Sequence, residues 1–342
     1  MANNTPNRKH IVCILEILKK HSDSYHTLTQ QQIVRLMQSE FDMTVDRKTV
    51  KRNIEKLIEL EFPIYQLKAE NVKDNVQSNW YYSHEFEYGE LSLLIDSVLF
   101  ADGLSQRHRS ELIQKIEALT SKHFQSVTTK IDMNIYDRPV NGAILYTIEN
   151  IRQAIANSRQ LSFQYCDTGI DCELYPKENA DGNPRRYTVS PYQIIAKNGH
   201  QYLICNLDQY DDLTHFRIDR ITDSSVTDKS ARKIRKLRGF ENGLQLSEYV
   251  KAHPNLWSGE RRHITFRCNQ NMMNDIVDSF GTDLQIEQKP DDMILVHVYA
   301  SENDMRLWAV QFSDAVEVLT PQSLREQIAE TLRSALNKYE TE

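Results

Sequence analysis

Residues 44–61, TVDRKTVKRNIEKLIELE, constrain the chain more than any other stretch. Asp46 is placed to cap a helix, because its carboxylate can accept an otherwise unbonded N–H of the first turn. Val50, Ile54, Leu57 and Ile58 follow at helical spacing and predict an apolar stripe. The opposite side near the N-terminus carries Arg47, Lys48, Thr49, Lys51 and Arg52. These are the residue types with which a recognition helix meets base edges and phosphates in a major groove. A solvated basic face is the plainer alternative, and the neighbouring sequence decides between them.

Before this stretch the spacing predicts two helices. Residues 8–21 place Ile11, Ile14, Leu15 and Leu18 on one face, and residues 22–28 form a polar loop. Thr29 can cap a second helix running to residue 40, with Ile33, Leu36 and Met37 inward. Helix, helix, short turn and basic helix is the helix-turn-helix order. After Phe62-Pro63 the pattern changes to period two. Ile64, Tyr65 and Leu67 predict one strand and Trp80, Tyr81 and Tyr82 another, joined by a polar loop over 68–79. Such a hairpin makes a wing beside the helix. Two amphipathic helices are expected within 85–122, one using Leu91, Leu94, Ile95, Val98 and Leu99, the other Leu112, Ile113, Ile116 and Leu119. They can brace the first module, pack within the chain or offer a dimer surface. Residues 133–141 look like a connector.

Charge follows this division. The chain has 342 residues and a net charge of -7. Residues 1–62 hold 10 Lys/Arg against 8 Asp/Glu, whereas the remainder holds 31 against 40. A basic end on an acidic body favours a small DNA-reading module attached to a larger sensing part. No apolar run approaches the ~18 residues of a membrane span, and no signal-peptide core is evident. The five cysteines form no CxxC pair, and thiols in a reducing cytoplasm are expected. Neither a phosphate-binding glycine loop nor a hydrolase or metalloprotease signature occurs. The expectation is therefore a non-enzyme with no catalytic residues, no cofactor and no metal.

From residue 144 the character shifts. A helix over 144–157 precedes LSFQY at 161–165. Two strand-like runs within 184–208 are joined by Lys197-Asn198-Gly199-His200, and Asn-Gly between β-rich runs is the strongest short hairpin signal. Residues 215–227, HFRIDRITDSSVT, read as a further alternating strand. Short strands at this spacing suggest a small barrel-like sheet. In the last part, strands at 264–268, 293–299 and 316–319 alternate with helices at 272–279, 302–311 and 323–339.

The 151–238 region resembles a WYL domain. The matching residues are Tyr165, Val189-Ser190-Pro191-Tyr192, Asn198-Gly199, Tyr202-Leu203-Ile204 and Phe216-Arg217-Ile218-Asp219-Arg220-Ile221. The name-giving tripeptide stands as Gln201-Tyr202-Leu203, without its tryptophan. RKTVKRNIEKLIELEFPI resembles the winged helix of bacterial WYL-domain transcriptional regulators, and residues 263–338 resemble their C-terminal extension. The resemblance implies a multidomain α+β chain. Its parts are a winged helix-turn-helix DNA-binding domain at 1–84, a helical linker or dimerisation segment at 85–143, an Sm-like β-barrel WYL domain at 144–238 and a C-terminal α/β extension at 260–342. It further implies a cytoplasmic homodimeric regulator, a repressor or an activator. The expected partners are a double-stranded DNA operator and a nucleotide or oligonucleotide effector, with no membrane. An accessory single-stranded nucleic-acid-binding protein that regulates a nucleic-acid enzyme is the alternative. Expected ligand contacts are Arg217 and Tyr202 first, then Ser190, Tyr192 and Arg220, with Arg185 and Arg186 as a second basic spot. Strict alternation puts Arg217 and Arg220 on opposite faces unless a bulge or strand end intervenes. Each arginine can instead pair with Asp219 or Asp223, and each tyrosine can serve as core.

Overall fold

The computed structural model describes residues 5–67, 79–101, 103–124, 141–197, 199–253, 256 and 260–340. The chain divides into two units, Met1–Arg138 and Pro139–Glu342.

The first unit opens with α1 (Thr5–His21), β1 (Leu28–Thr29), α2 (Gln30–Phe41) and α3 (Arg47–Glu59). The hairpin strands β2 (Ile64–Leu67) and β3 (Asn79–Tyr82) follow. Thr29 caps α2 in a capping box: its hydroxyl accepts the Gln32 N–H, while the Gln32 side chain accepts the Thr29 N–H. Ile14, Ile17 and Leu18 of α1, Ile33 and Met37 of α2, and Val50, Ile54 and Leu57 of α3 form one core, closed by Ile64 and Trp80. Two expectations are corrected here. Ile58 is 39% exposed at one edge of the buried stripe, while Asn53 at the other edge is buried and donates to the Thr49 carbonyl at 2.8 Å. The loop before α2 is not wholly irregular either: Leu28–Thr29 pairs with Trp80 and Asn79, making a three-stranded sheet in the order β1-β3-β2. The wing loop expected at 68–79 lies outside the described residues but for Asn79, as does the connector at 133–141 but for Asn141.

Two more helices, α4 (Tyr88–Leu99) and α5 (Gln106–Glu117), pack through Leu91, Ile95 and Ile113 with Phe124. Leu94 was expected inward but is 39% exposed. Asp23 joins this pair to the end of α1. Its carboxylate accepts hydrogen bonds from the Tyr25 and His26 backbone N–H groups, from Tyr88 Oη at 2.8 Å and from Ser121 Oγ.

The second unit begins with α6 (Ile144–Ala156), then β4 (Arg159–Thr168), β5 (Leu174–Pro176), β6 (Arg186–Lys197), β7 (His200–Asn206), β8 (Thr214–Arg217) and β9 (Ile221–Ser230). The sheet order is β5-β4-β6-β7-β8, with β9 also paired to β4. Lys197 pairs with His200, and Gly199 takes φ +78° in the intervening turn, a conformation cheap only for glycine. The sheet curls tightly. Phe216 of β8 reaches Phe163 of β4 at 5.1 Å between ring centroids and Tyr187 of β6 at 5.3 Å. It does not close into a barrel: among the described residues no ladder joins β8 to β9.

The strand expected at 215–227 is also broken. Ile218–Arg220 forms a single 3-10 turn. Phe216, Ile218 and Ile221 are buried, and their spacing of two and then three residues cannot be met by one regular strand.

A short helix, α7 (Leu246–Ala252), leads to the C-terminal sheet. That part runs β10 (Arg261–Asn269), α8 (Met273–Phe280), β11 (Gln285–Gln288), β12 (Met293–Ser301), α9 (Glu302–Gln311), β13 (Val316–Thr320) and α10 (Gln322–Glu340). The strand order is β11-β12-β10-β13, and Phe266, Val296, Met305, Trp308 and Leu324 lie in its core. Trp308 Nε1 donates to Ser279 Oγ at 2.9 Å, which satisfies its one polar group. No described helix is long and apolar enough to cross a membrane.

Candidate nucleic-acid interface and ligand site

Asp46 caps α3 by accepting the Thr49 N–H at 2.8 Å. That bond and a second from the Thr49 hydroxyl lower the Asp46 pKa below the ordinary carboxylate range. The cap fixes the first turn, so the basic residues leave the helix in a set order. Burial of Val50, Ile54 and Leu57 then turns Arg47, Lys48, Lys51 and Arg52 outward, and all four are exposed. Their surroundings differ. Arg47 donates to Gln31 Oε1 of α2 at 2.9 Å, and Lys51 stands 3.8 Å from Glu55. The Thr49 hydroxyl is occupied by Asp46. Among the described residues, the Lys48 and Arg52 side chains make no hydrogen bond or salt bridge. Within the described residues, an external anion could therefore meet these two cations without breaking a hydrogen bond or ion pair. On the outer face of the β2–β3 hairpin, Tyr65 and Tyr81 stack at 5.7 Å between centroids.

In the second unit the break in the strand changes the geometry of the arginines. Strict alternation ends at Ile218–Arg220, so it no longer separates Arg217 from Arg220, and both act electrostatically on Tyr165. Arg217 grips Asp219 through two bonds, Nε to Oδ1 at 3.1 Å and Nη2 to Oδ2 at 2.6 Å. Burial opposes its charge, but Asp219 outweighs burial and raises the Arg217 pKa. Arg220 makes no hydrogen bond or salt bridge among the described residues. Tyr202 pairs with Arg217 across β7 and β8. The Tyr165 hydroxyl accepts the Arg217 N–H at 3.3 Å. Its pKa is raised chiefly by burial, while Arg217, Asp219 and Arg220 all act on it electrostatically. Lys177 Nζ lies 6.0 Å from the Tyr165 ring, and Arg185 lies 4.7 Å over the Tyr187 ring. Two cations thus cover tyrosine rings, one on the partly buried Tyr165 and one on the buried Tyr187.

Not every expected ligand residue joins this group. Ser190 is fully buried, and its Oγ accepts the Arg232 N–H at 2.8 Å. Tyr192 Oη donates to the Arg232 carbonyl at 2.8 Å, and burial pushes its pKa up to about 12. Together these hydroxyls pin the segment after β9. Arg185 and Arg186 also part: Arg186 bonds Asp223 and Ser162 Oγ. Sequence reasoning did not single out Lys177. It is brought beside Tyr165 by a backbone bond from the Lys177 N–H to the Tyr165 carbonyl, which no local pattern signals. All five cysteines are free, and among the described residues no group of three or more His, Cys, Asp or Glu is arranged to hold a metal.

Residues 146–226 match the WYL domain, and residues 260–336 match the WCX domain. A search of curated proteins finds no match. Among solved structures, the chain is similar to proteasome accessory factor B/C (PafBC) of Arthrobacter aurescens at 15% identity and a TM-score of 0.28, covering 97% of this chain and 49% of that one. It therefore spans about half the length of that protein. It is also similar to a structure described as a CRISPR Cas-related protein, at 14% identity and a TM-score of 0.39, covering 97% and 84% respectively. At these scores neither likeness bears on function.

Proposed function

We propose that the chain is a dimeric DNA-binding transcriptional regulator of the WYL type. In this reading the first unit is a winged helix with α3 as its recognition helix, the curled sheet is an open Sm-like fold, and it senses a nucleic-acid ligand. The observation that carries the reading is the division of α3 into two faces. Its apolar side is consumed by the core of three helices and three strands, while Lys48 and Arg52 stand outward with no hydrogen-bond or ion-pair partner among the described residues. The WYL and WCX matches support a sensing body attached to that module.

The ligand enters at Tyr165, Tyr202, Arg217 and Arg220. Arg220 takes the first phosphate. Arg217 either releases Asp219 or uses its remaining donors, so ligand and Asp219 compete for one guanidinium. The full chain should bind a short fluorescent single-stranded oligonucleotide, with Arg220→Ala weakening it about tenfold. Asp219→Asn should tighten binding by freeing Arg217. Anisotropy at several salt concentrations reads both. Equal affinities for the wild type and both variants would remove the ligand from this patch.

A further inference from the structure

A cleft of about 530 Å³ lies within the second unit, between the β7–β8 loop, the segment from Arg238 through α7 and the outer face of the C-terminal sheet. Alternation along β10 sends Ile264, Phe266 and Cys268 into the core and Arg261 to the opposite face. The Arg261 guanidinium lies 5.6 Å from the Phe240 ring centroid and 5.8 Å from that of Tyr299. Two aromatic faces thus fix its orientation. Yet among the described residues it makes no hydrogen bond and no salt bridge. Arg238, exposed at the same cleft, makes none either, although Glu241 stands in its field.

The acids of the cleft do not cancel these charges. Asp211 is held by Arg232 at 2.5 Å, and Glu260 by Arg262 at 3.0 Å. Asp212 accepts the Leu213 N–H at 2.8 Å and is the one lining acid with no arginine partner among the described residues. The floor is neutral at pH 7. Burial lowers the His253 pKa, its Nδ1 donates to the Tyr249 carbonyl at 2.8 Å, and Tyr249 Oη bonds His215 Nε2 at 3.0 Å. At the rim Tyr210 is 57% exposed and offers an open ring face.

We propose that this cleft is a binding site for an organic phosphate monoester of nucleotide size, its phosphate held by Arg261 and Arg238 and its ring stacked on Tyr210. An aromatic-clamped guanidinium presents its planar fork of donors ready for the two oxygens of a phosphate. A monoester carries between one and two negative charges at pH 7, which suits two unpaired cations better than a single carboxylate would. The volume lies within the ~300–1,000 Å³ range of small-ligand sites. The cleft's lining shares no residue with the Arg217 patch and none with α3.

The test is titration calorimetry on the full chain with adenosine 5′-monophosphate, adenosine, inorganic phosphate and a 5′-phosphorylated dinucleotide. The monophosphate should bind about tenfold or more tightly than adenosine, and Arg261→Gln and Arg238→Gln should each weaken it about tenfold. Arg333→Gln, on exposed α10, is the surface control and should change nothing. Should Arg261→Gln melt early, Arg238→Gln carries the result, because its side chain is exposed. Preference for the dinucleotide would identify a strand end rather than a free nucleotide as the source of the same phosphate. Equal binding of adenosine, no binding of any phosphate, or indifference to both arginine substitutions would overturn the proposal.

Discussion

Replacing Lys48 and Arg52 together by alanine should lower affinity for a duplex target about 100-fold or more. It should also flatten the dependence of log K on log salt by about two. The two side chains are exposed on the first two turns of α3 and make no hydrogen bond or ion pair within the described residues. Their loss therefore costs the fold little, within about ±0.5 kcal/mol for such surface positions. All of the effect should then appear in binding. Arg47→Ala should cost less, because Arg47 already shares a donor with Gln31. Anisotropy titration between low and moderate salt measures both affinity and slope. Wild-type affinity and slope in the double variant would take α3 out of the interface.

The second large effect is expected at Asp23. Its side chain is buried, and it gathers the end of α1, Tyr88 at the start of α4 and Ser121 beyond α5 into one node. Asp23→Ala leaves several buried donors without an acceptor and should destabilise the first unit by about 3–5 kcal/mol. The same node gives a pH signature. Burial alone would raise the Asp23 pKa, but bonds from Ser121, Tyr88, the Tyr25 N–H and His26 outweigh it and hold the pKa at about 2, below the ordinary 3.8. A depressed carboxylate contributes stability above its unfolded pKa and loses it as pH falls through the folded value. About 2 kcal/mol should therefore be present above pH ~4 and vanish toward pH ~2. Hydrogen exchange of the α4 and α5 amides should show this acid loss in the wild type and not in Asp23→Asn. An identical acid profile in that variant would place the effect elsewhere. Because the node fastens α4 and α5 to α1, the variant also separates loss of the brace from loss of the recognition surface.

Local chemistry made much of this architecture legible. Thr29 with Gln32, and Asp46 with Thr49, mark two helix starts through side-chain caps that need only a few residues. Periodicity identified the buried faces of α2 and α3, apart from Ile58. Ile58 lies at the stripe's exposed edge, while Asn53 at the opposite edge is buried and satisfies itself on the Thr49 carbonyl. Leu94 misled for a related reason: a leucine within a helical pattern is not buried unless a partner covers its side. What stayed hidden depends on distant pairing. The two-residue strand β1 exists only because β3 lies beside it. The Asp23 node joins residues 65 and 98 positions apart. In the 215–227 region, an apparently alternating strand contains one three-residue step, from Ile218 to Ile221. That step breaks the strand and leaves β8 unpaired with β9, and both Arg217 and Arg220 act on Tyr165. The candidate ligand residues were thus partly readable as types, but not their grouping. Ser190 and Tyr192 hold the Arg232 backbone, and Tyr165 joins the arginines instead.

The central claim, sequence-specific duplex recognition through α3, is tested most directly by enriching a random duplex pool on the full chain and sequencing what is retained. A dimer presenting two copies of α3 should recover two similar half-sites in inverted orientation, with centres about 10 base pairs or a multiple apart. The Lys48→Ala, Arg52→Ala chain should recover none. A retained pool with the base composition of the input, or the same motif enriched by the double variant, would contradict the account.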